Sequence, residues 1–177
     1  MKNVMISKSP LITGISLIIM TILSIIIFPS LKAAPLYIIG IAIIIILDII
    51  IALSLYFLLR AVNKNLSLIM SILRIIYAII FALALINISD LTIFYSIWSN
   101  GLLIFGIHLL FLGILVYKSQ YIPKWLGILI VIASFGYIID SVANLFGINT
   151  MIGMFTFIGE ILFALWLVIK GRKISVK

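Results

Sequence analysis

The stretch Leu36 to Leu59 reads LYIIGIAIIIILDIIIALSLYFLL, an apolar run interrupted only by Asp48 near its middle. A hydrocarbon core about 30 Å thick needs about 20 helical residues, so this run is long enough to cross a bilayer. It has no strand-like alternation, and only helices and closed barrels satisfy the backbone in lipid. The run therefore reads as a membrane helix. Its carboxylate is costly there and is usually kept for a purpose.

Working outward, breaks at residues 29–35, 60–65, 87–91, 118–123 and 147–150 leave six such runs, at about 11–28, 36–59, 66–87, 93–117, 122–146 and 150–170. The expected fold is all-α: one polytopic helix bundle over residues 1–177, with six transmembrane helices. The connections are short, so no soluble domain fits between the spans. Lys2 and Lys8 precede a first run that is too long for a signal peptide and lacks small residues placed for cleavage, so an uncleaved first span is expected.

The composition agrees. The chain is 66% apolar and 9% charged, far from the usual soluble range. A net charge of +8 could suggest nucleic acid, but the basic residues stand singly or in small groups at the ends of apolar runs, so no nucleic-acid partner is expected. Lys2, Lys8, Arg60, Lys64, Lys118, Lys124, Lys170, Arg172, Lys173 and Lys177 fall on one side of the predicted bilayer, and Lys32 alone on the other. The positive-inside rule makes the crowded side cytoplasmic, with both termini there. Tyr37, Tyr95 and Trp98 would mark the outer interface, and Tyr56, Tyr117, Tyr121, Trp125 and Trp166 the inner one.

The chain has four carboxylates, and Asp48, Asp140 and Glu160 lie within apolar runs, as do Arg74 and the single histidine, His108. A central charge costs about 2.5–3.5 kcal/mol on the insertion scale, while each Leu or Ile returns about 0.3–0.6 kcal/mol. The charges therefore do not prevent insertion, but they require paired or solvated places inside the bundle. Stripes of small and polar residues point to helix contacts: Ser67, Ser71, Arg74, Ala78 and Ala82; Trp98, Gly101, Phe105 and His108; Gly136, Asp140 and Asn144; Gly153, Thr156, Glu160 and Ala164.

Arg74, Glu160, Asp48 and His108 form the candidate intramembrane polar site. Arg74 is expected to pair with Glu160, with Asp48 as second choice. The bland reading makes that pair structural; the functional one makes it a pocket for an anionic headgroup, with a carboxylate able to take up a proton. His108 reads as a hydrogen-bonded interior residue or a proton relay. Asp140, in the outer third of its run, is expected to form with Asn144 a separate outer polar patch.

No cysteine is present, and one histidine cannot fill a usual transition-metal set. No metal and no cofactor are expected. The chain lacks H-E-x-x-H, a phosphate-cradling glycine loop and G-x-S-x-G. An aspartate dyad needs close carboxylates, which Asp48 and Asp140 do not offer at their different depths. A three-plus-three division suggests an inverted repeat, but residues 35–48 and 123–140 echo each other only loosely.

Further motifs run GLLIFGIH at 101–108, YKS at 117–119, IPKWLG at 122–127, GYIIDS at 136–141 and GEILFALW at 159–166, then Lys170-Gly171. With these, and with Asp48 and Arg74-Ile75-Ile76-Tyr77 earlier, the chain resembles the bacterial multi-pass membrane family called domain of unknown function 4386. The resemblance implies a six-span prokaryotic protein without an established activity, carrying polar residues at Arg74, His108, Asp140 and Glu160. Members of that family often have a longer segment between the first two spans than residues 29–35 provide here, so an activity that used it is not implied for this chain.

The resulting expectation is a multi-pass protein of the prokaryotic plasma membrane, non-enzymatic. It would bind a lipid, a small amphiphile or a partner helix around Arg74 and Glu160. Its partners would be the lipid bilayer and a membrane protein or a second copy of itself. The alternative is a small proton-linked transporter using Asp48, Glu160 and His108; a membrane enzyme acting on lipid is a third reading, disfavoured by the missing motifs.

Overall fold

The computed structural model describes residues 2–27 and 36–171. Lys32, Arg172, Lys173, Lys177 and the connection at 29–35 lie outside the described residues. The chain is built from α1 (Lys2–Ile27), α2 (Leu36–Leu59), α3 (Lys64–Ile86), α4 (Leu91–Lys118), α5 (Lys124–Leu145), α6 (Ile152–Thr156) and α7 (Ile158–Lys170), with no strand among the described residues. Six helices are long and apolar enough to cross a membrane, the sixth being α6 and α7 taken together.

Local chemistry explains most boundaries. Asn63 Oδ1 accepts from the Leu66 amide at 2.9 Å and starts α3. Asp90, the carboxylate outside the apolar runs, accepts from the Thr92 and Ile93 amides at 2.9 and 3.2 Å and starts α4. Both are side-chain N-caps that occupy otherwise orphaned amides. After α5 the chain turns at Gly147, whose φ of 74° is disfavoured for a side-chain-bearing residue, and the Ile148 amide reaches back to the Ala143 carbonyl at 3.0 Å, closing the helix in the manner of a glycine C-cap.

Two elements depart from the expected spans. α1 begins at Lys2, well before the apolar run, and carries Pro10 within it, where the missing N–H removes one helical hydrogen bond. The sixth span tightens at Phe157, which keeps helical angles (φ −53°, ψ −21°). The Glu160 amide bonds the Phe157 carbonyl at 3.0 Å, an i to i−3 bond tighter than the α-helical pattern.

From α1 to α6 each helix packs on the next in sequence, α7 packs on α5, and α1 packs on α7 to close the ring. Isoleucine covers the outside: Ile39, Ile46, Ile79 and Ile86 are exposed. Because lipid is as apolar as these side chains, the hydrophobic effect does not drive the helices together, and close packing and polar contacts must do so. Along α4 and α5 that packing comes from glycine. A Cβ on Gly127 would lie 2.6 Å from the Tyr117 amide nitrogen and 2.8 Å from the Gly113 carbonyl, so the two backbones touch directly.

Candidate functional site

The centre of the ring is a connected series of side chains with a contribution from every span. Its hub is Arg74 on α3, which is fully buried. Nη2 lies 2.7 Å from Asp48 Oδ1 on α2. That oxygen has no hydrogen-bond partner among the described residues, so the contact is an ion pair held by charge. The same nitrogen lies 3.8 Å from the Met20 sulfur on α1, a weak acceptor.

On the other side, Arg74 Nη1 donates to His108 Nε2 on α4 at 3.1 Å, and His108 Nδ1 lies 2.8 Å from the Met70 carbonyl oxygen. Arginine only donates and a carbonyl only accepts. The ring must therefore accept at Nε2 and donate at Nδ1, which defines the neutral Nδ1–H tautomer. Phe105 on α4 completes the cage, its ring centroid 5.3 Å from the guanidinium carbon, within cation–π range.

The series continues through aromatic side chains. Phe105 meets Tyr137 of α5 edge to face, with centroids 5.1 Å apart, and Tyr77 of α3 at 4.8 Å. Tyr77 accepts from Trp98 Nε1 at 3.1 Å. The Tyr137 hydroxyl lies within reach of the carboxyl group of Glu160 on α7, to which it can donate. Glu160 is 5% exposed, and its Oε1 has no hydrogen-bond partner among the described residues. Arg74 Nε is likewise buried and without a hydrogen-bond partner among the described residues.

Arg74, Asp48 and His108 are thus in direct contact, and Glu160 joins them only through Tyr137 and Phe105. The expected first pairing, Arg74 with Glu160, is corrected: the ion-pair partner is Asp48. The reason lies in helix order. α3 packs on α2 and α4, whereas α7 packs on α1 and α5. Glu160 is near enough to feel the charges of Arg74 and Asp48, but no ion pair joins it to Arg74 among the described residues.

Asp140 and Asn144 lie elsewhere and face different partners. Asp140 Oδ1 accepts from Thr150 Oγ1 at 2.7 Å and from the Ile152 amide at 2.9 Å, and Oδ2 accepts from the Gly153 amide at 2.7 Å. A carboxylate from α5 therefore caps α6 across the turn. Asn144 Nδ2 donates to Ser99 Oγ on α4 at 2.8 Å. A further close contact fixes α6: a Cβ on Gly136 would collide with Thr156 Oγ1 and lie 3.0 Å from Gly153 Cα.

Sequence reasoning did not single out Tyr137 or Met20 and placed Phe105 only in a packing stripe. Phe105 carries a usable signal, since it precedes His108 by one helical turn on the same face. Met20 has none, being one of many apolar residues in its run.

The family model described as Domain of unknown function (DUF4386) matches residues 89–171. That segment contains His108, Tyr137, Asp140 and Glu160, and leaves out Asp48 and Arg74. A protein of Archaeoglobus fulgidus, described only as uncharacterized, is 59% identical over 156 residues, covering 88% of this chain and 96% of its own length. No solved structure matches. With its second half matched by the family model and nearly its whole length shared with that archaeal protein, the chain belongs to the DUF4386 family.

Proposed function

We propose that this is a multi-pass protein of a prokaryotic plasma membrane, with both termini cytoplasmic, that binds a lipid or small amphiphile through its interior polar group without catalysing a reaction. One observation carries the reading: Glu160 Oε1 and Arg74 Nε are both buried without hydrogen-bond partners among the described residues. An unfilled acceptor and an unfilled donor in one apolar interior cost free energy unless something completes them. A headgroup bearing both a donor and an acceptor would do so.

A partner helix fits less well. Arg74, Asp48, His108 and Glu160 are all buried within the ring, so they do not present themselves to a helix arriving from the lipid.

The test is lipid analysis of the full chain purified in mild detergent. Enrichment of one lipid class over the surrounding membrane is expected, with loss of that enrichment in Glu160→Gln at unchanged thermal stability. No enrichment in the wild type would sink the reading. The orientation is tested separately: reporters fused at Lys64 and Lys118 should read cytoplasmic, and those at Asp90 and Asn149 external.

The buried carboxyl group of Glu160, whose Oε1 has no hydrogen-bond partner among the described residues, favours a second reading, a small proton-linked transporter, because intramembrane carboxylates mark proton relays. Proton uptake into proteoliposomes that disappears in Glu160→Gln would select it.

A further inference from the structure

The interior of the ring is not balanced in charge by its own side chains. Arg74 supplies one positive charge and is paired with Asp48. His108 is held as a neutral tautomer by its two hydrogen bonds. Glu160 is a second carboxyl group, buried and without an ion-pair partner among the described residues. An isolated ionised carboxylate in such a place is very costly. Among the described residues, the elements packed around it bring no second cation to the group: on α5, Lys124 sits over the Tyr117 ring and Asp140 faces Thr150, Ile152 and Gly153, and the charges that reach Glu160 are Arg74 on α3 and Asp48 on α2. α1 meets α7 through Gly14 against Ala164, Leu167 and Val168. Lys8 on α1 and Lys170 at the end of α7 are exposed and far along their helices from Glu160.

We propose that Glu160 and Tyr137 form a binding site for one small monovalent cation, a proton or an alkali ion, that balances the interior charge. The geometry suits such a ligand. Glu160 is 5% exposed, its Oε1 has no hydrogen-bond partner among the described residues, and the Tyr137 hydroxyl lies beside the group. The site lies in the first turn of α7, where the Glu160 amide bonds the Phe157 carbonyl at 3.0 Å. Arg74 is not the receptor for this ligand, because its own charge is opposed by Asp48 and caged by His108 and Phe105. The inference concerns the carboxyl group that the proposed amphiphile would meet, but it does not depend on an amphiphile binding.

Infrared spectroscopy and thermal unfolding of the full chain in detergent, at neutral pH with and without sodium or potassium, test it. If the ligand is a proton, the wild type shows a carboxylic-acid carbonyl band that shifts in deuterium oxide. Glu160→Gln loses that band, while Asp140→Asn keeps it, since three donors already serve the Asp140 carboxylate. If the ligand is an alkali ion, the acid band is absent, and the melting temperature rises with that ion in the wild type but not in Glu160→Gln. Should Glu160→Gln fail to fold, Tyr137→Phe serves instead: it shifts the band or weakens the ion dependence by removing the phenol donor. An acid band that survives Glu160→Gln, or a wild type with neither the band nor the ion dependence, overturns the proposal.

Discussion

Arg74 and Asp48 face each other across neighbouring helices near the middle of their spans, Nη2 to Oδ1 at 2.7 Å, with both side chains about 1% exposed. Their mutual attraction is strong in this apolar setting, but so is the cost of desolvating each of them, and the net stability of such pairs is small. What the pair does enforce is specificity. Once one member is buried, the other must be present, and α2 must sit against α3 in a single register.

Removing one member strands the other, at a cost of about 3–5 kcal/mol. Arg74→Leu and Asp48→Leu should each lower thermal stability in detergent by that order, and the double variant should recover much of the loss. A cycle between Arg74 and Glu160 should show clearly weaker coupling, because those residues feel each other only at longer range. Equal coupling in the two cycles would contradict the observed pairing.

His108 is the chain's only histidine, so nitrogen-15 labelling of histidine yields one imidazole. Its spectrum should show a neutral ring protonated at Nδ1. The Nε2–H tautomer would mean that the contact with Arg74 does not form. His108→Leu leaves the Arg74 N–H without its acceptor and should destabilise the bundle by about 1–3 kcal/mol.

Asp140 accepts three hydrogen bonds from residues at the start of α6. Asp140→Ala removes them and should cost about 0.5–2 kcal/mol, as lost helix caps do. Hydrogen exchange locates the effect: the amides of Ile152 and Gly153 should lose protection, while those flanking Arg74 should keep theirs. Uniform loss along the chain would show that Asp140 supports more than α6.

Tyr121 lies between α4 and α5, outside the spans, and its hydroxyl donates to the Leu58 carbonyl at 2.6 Å. Burial pushes the phenol up from 10.0 to about 12. Because the folded state holds this proton more tightly, the contribution is complete below about pH 10 and disappears as pH rises through about 12. Tyr121→Phe should lose about 0.5–1.5 kcal/mol at neutral pH and show a shallower fall in melting temperature over that alkaline window. An unchanged alkaline profile would mean that the phenol is not buried in the folded protein.

The six spans are legible along the chain because crossing a bilayer is a local demand: each run must by itself be long and apolar and satisfy its own backbone. The caps at Asn63 and Asp90 are equally local, each acting within a few residues of its own helix, but they were seen only in the structure. The polar residues of the interior were also visible, because charge stands out in an isoleucine-rich run. Their partners were not. Whether Arg74 meets Asp48 or Glu160 depends on which helices are neighbours in the ring, and hydropathy carries no record of that. The same holds for Tyr137 beside Glu160 and for Asp140 capping α6, contacts between residues on separate elements. In lipid, where every helix face is apolar enough to be solvated, helix order is set by side-chain shape and a few polar contacts, and these exist only once the bundle is assembled.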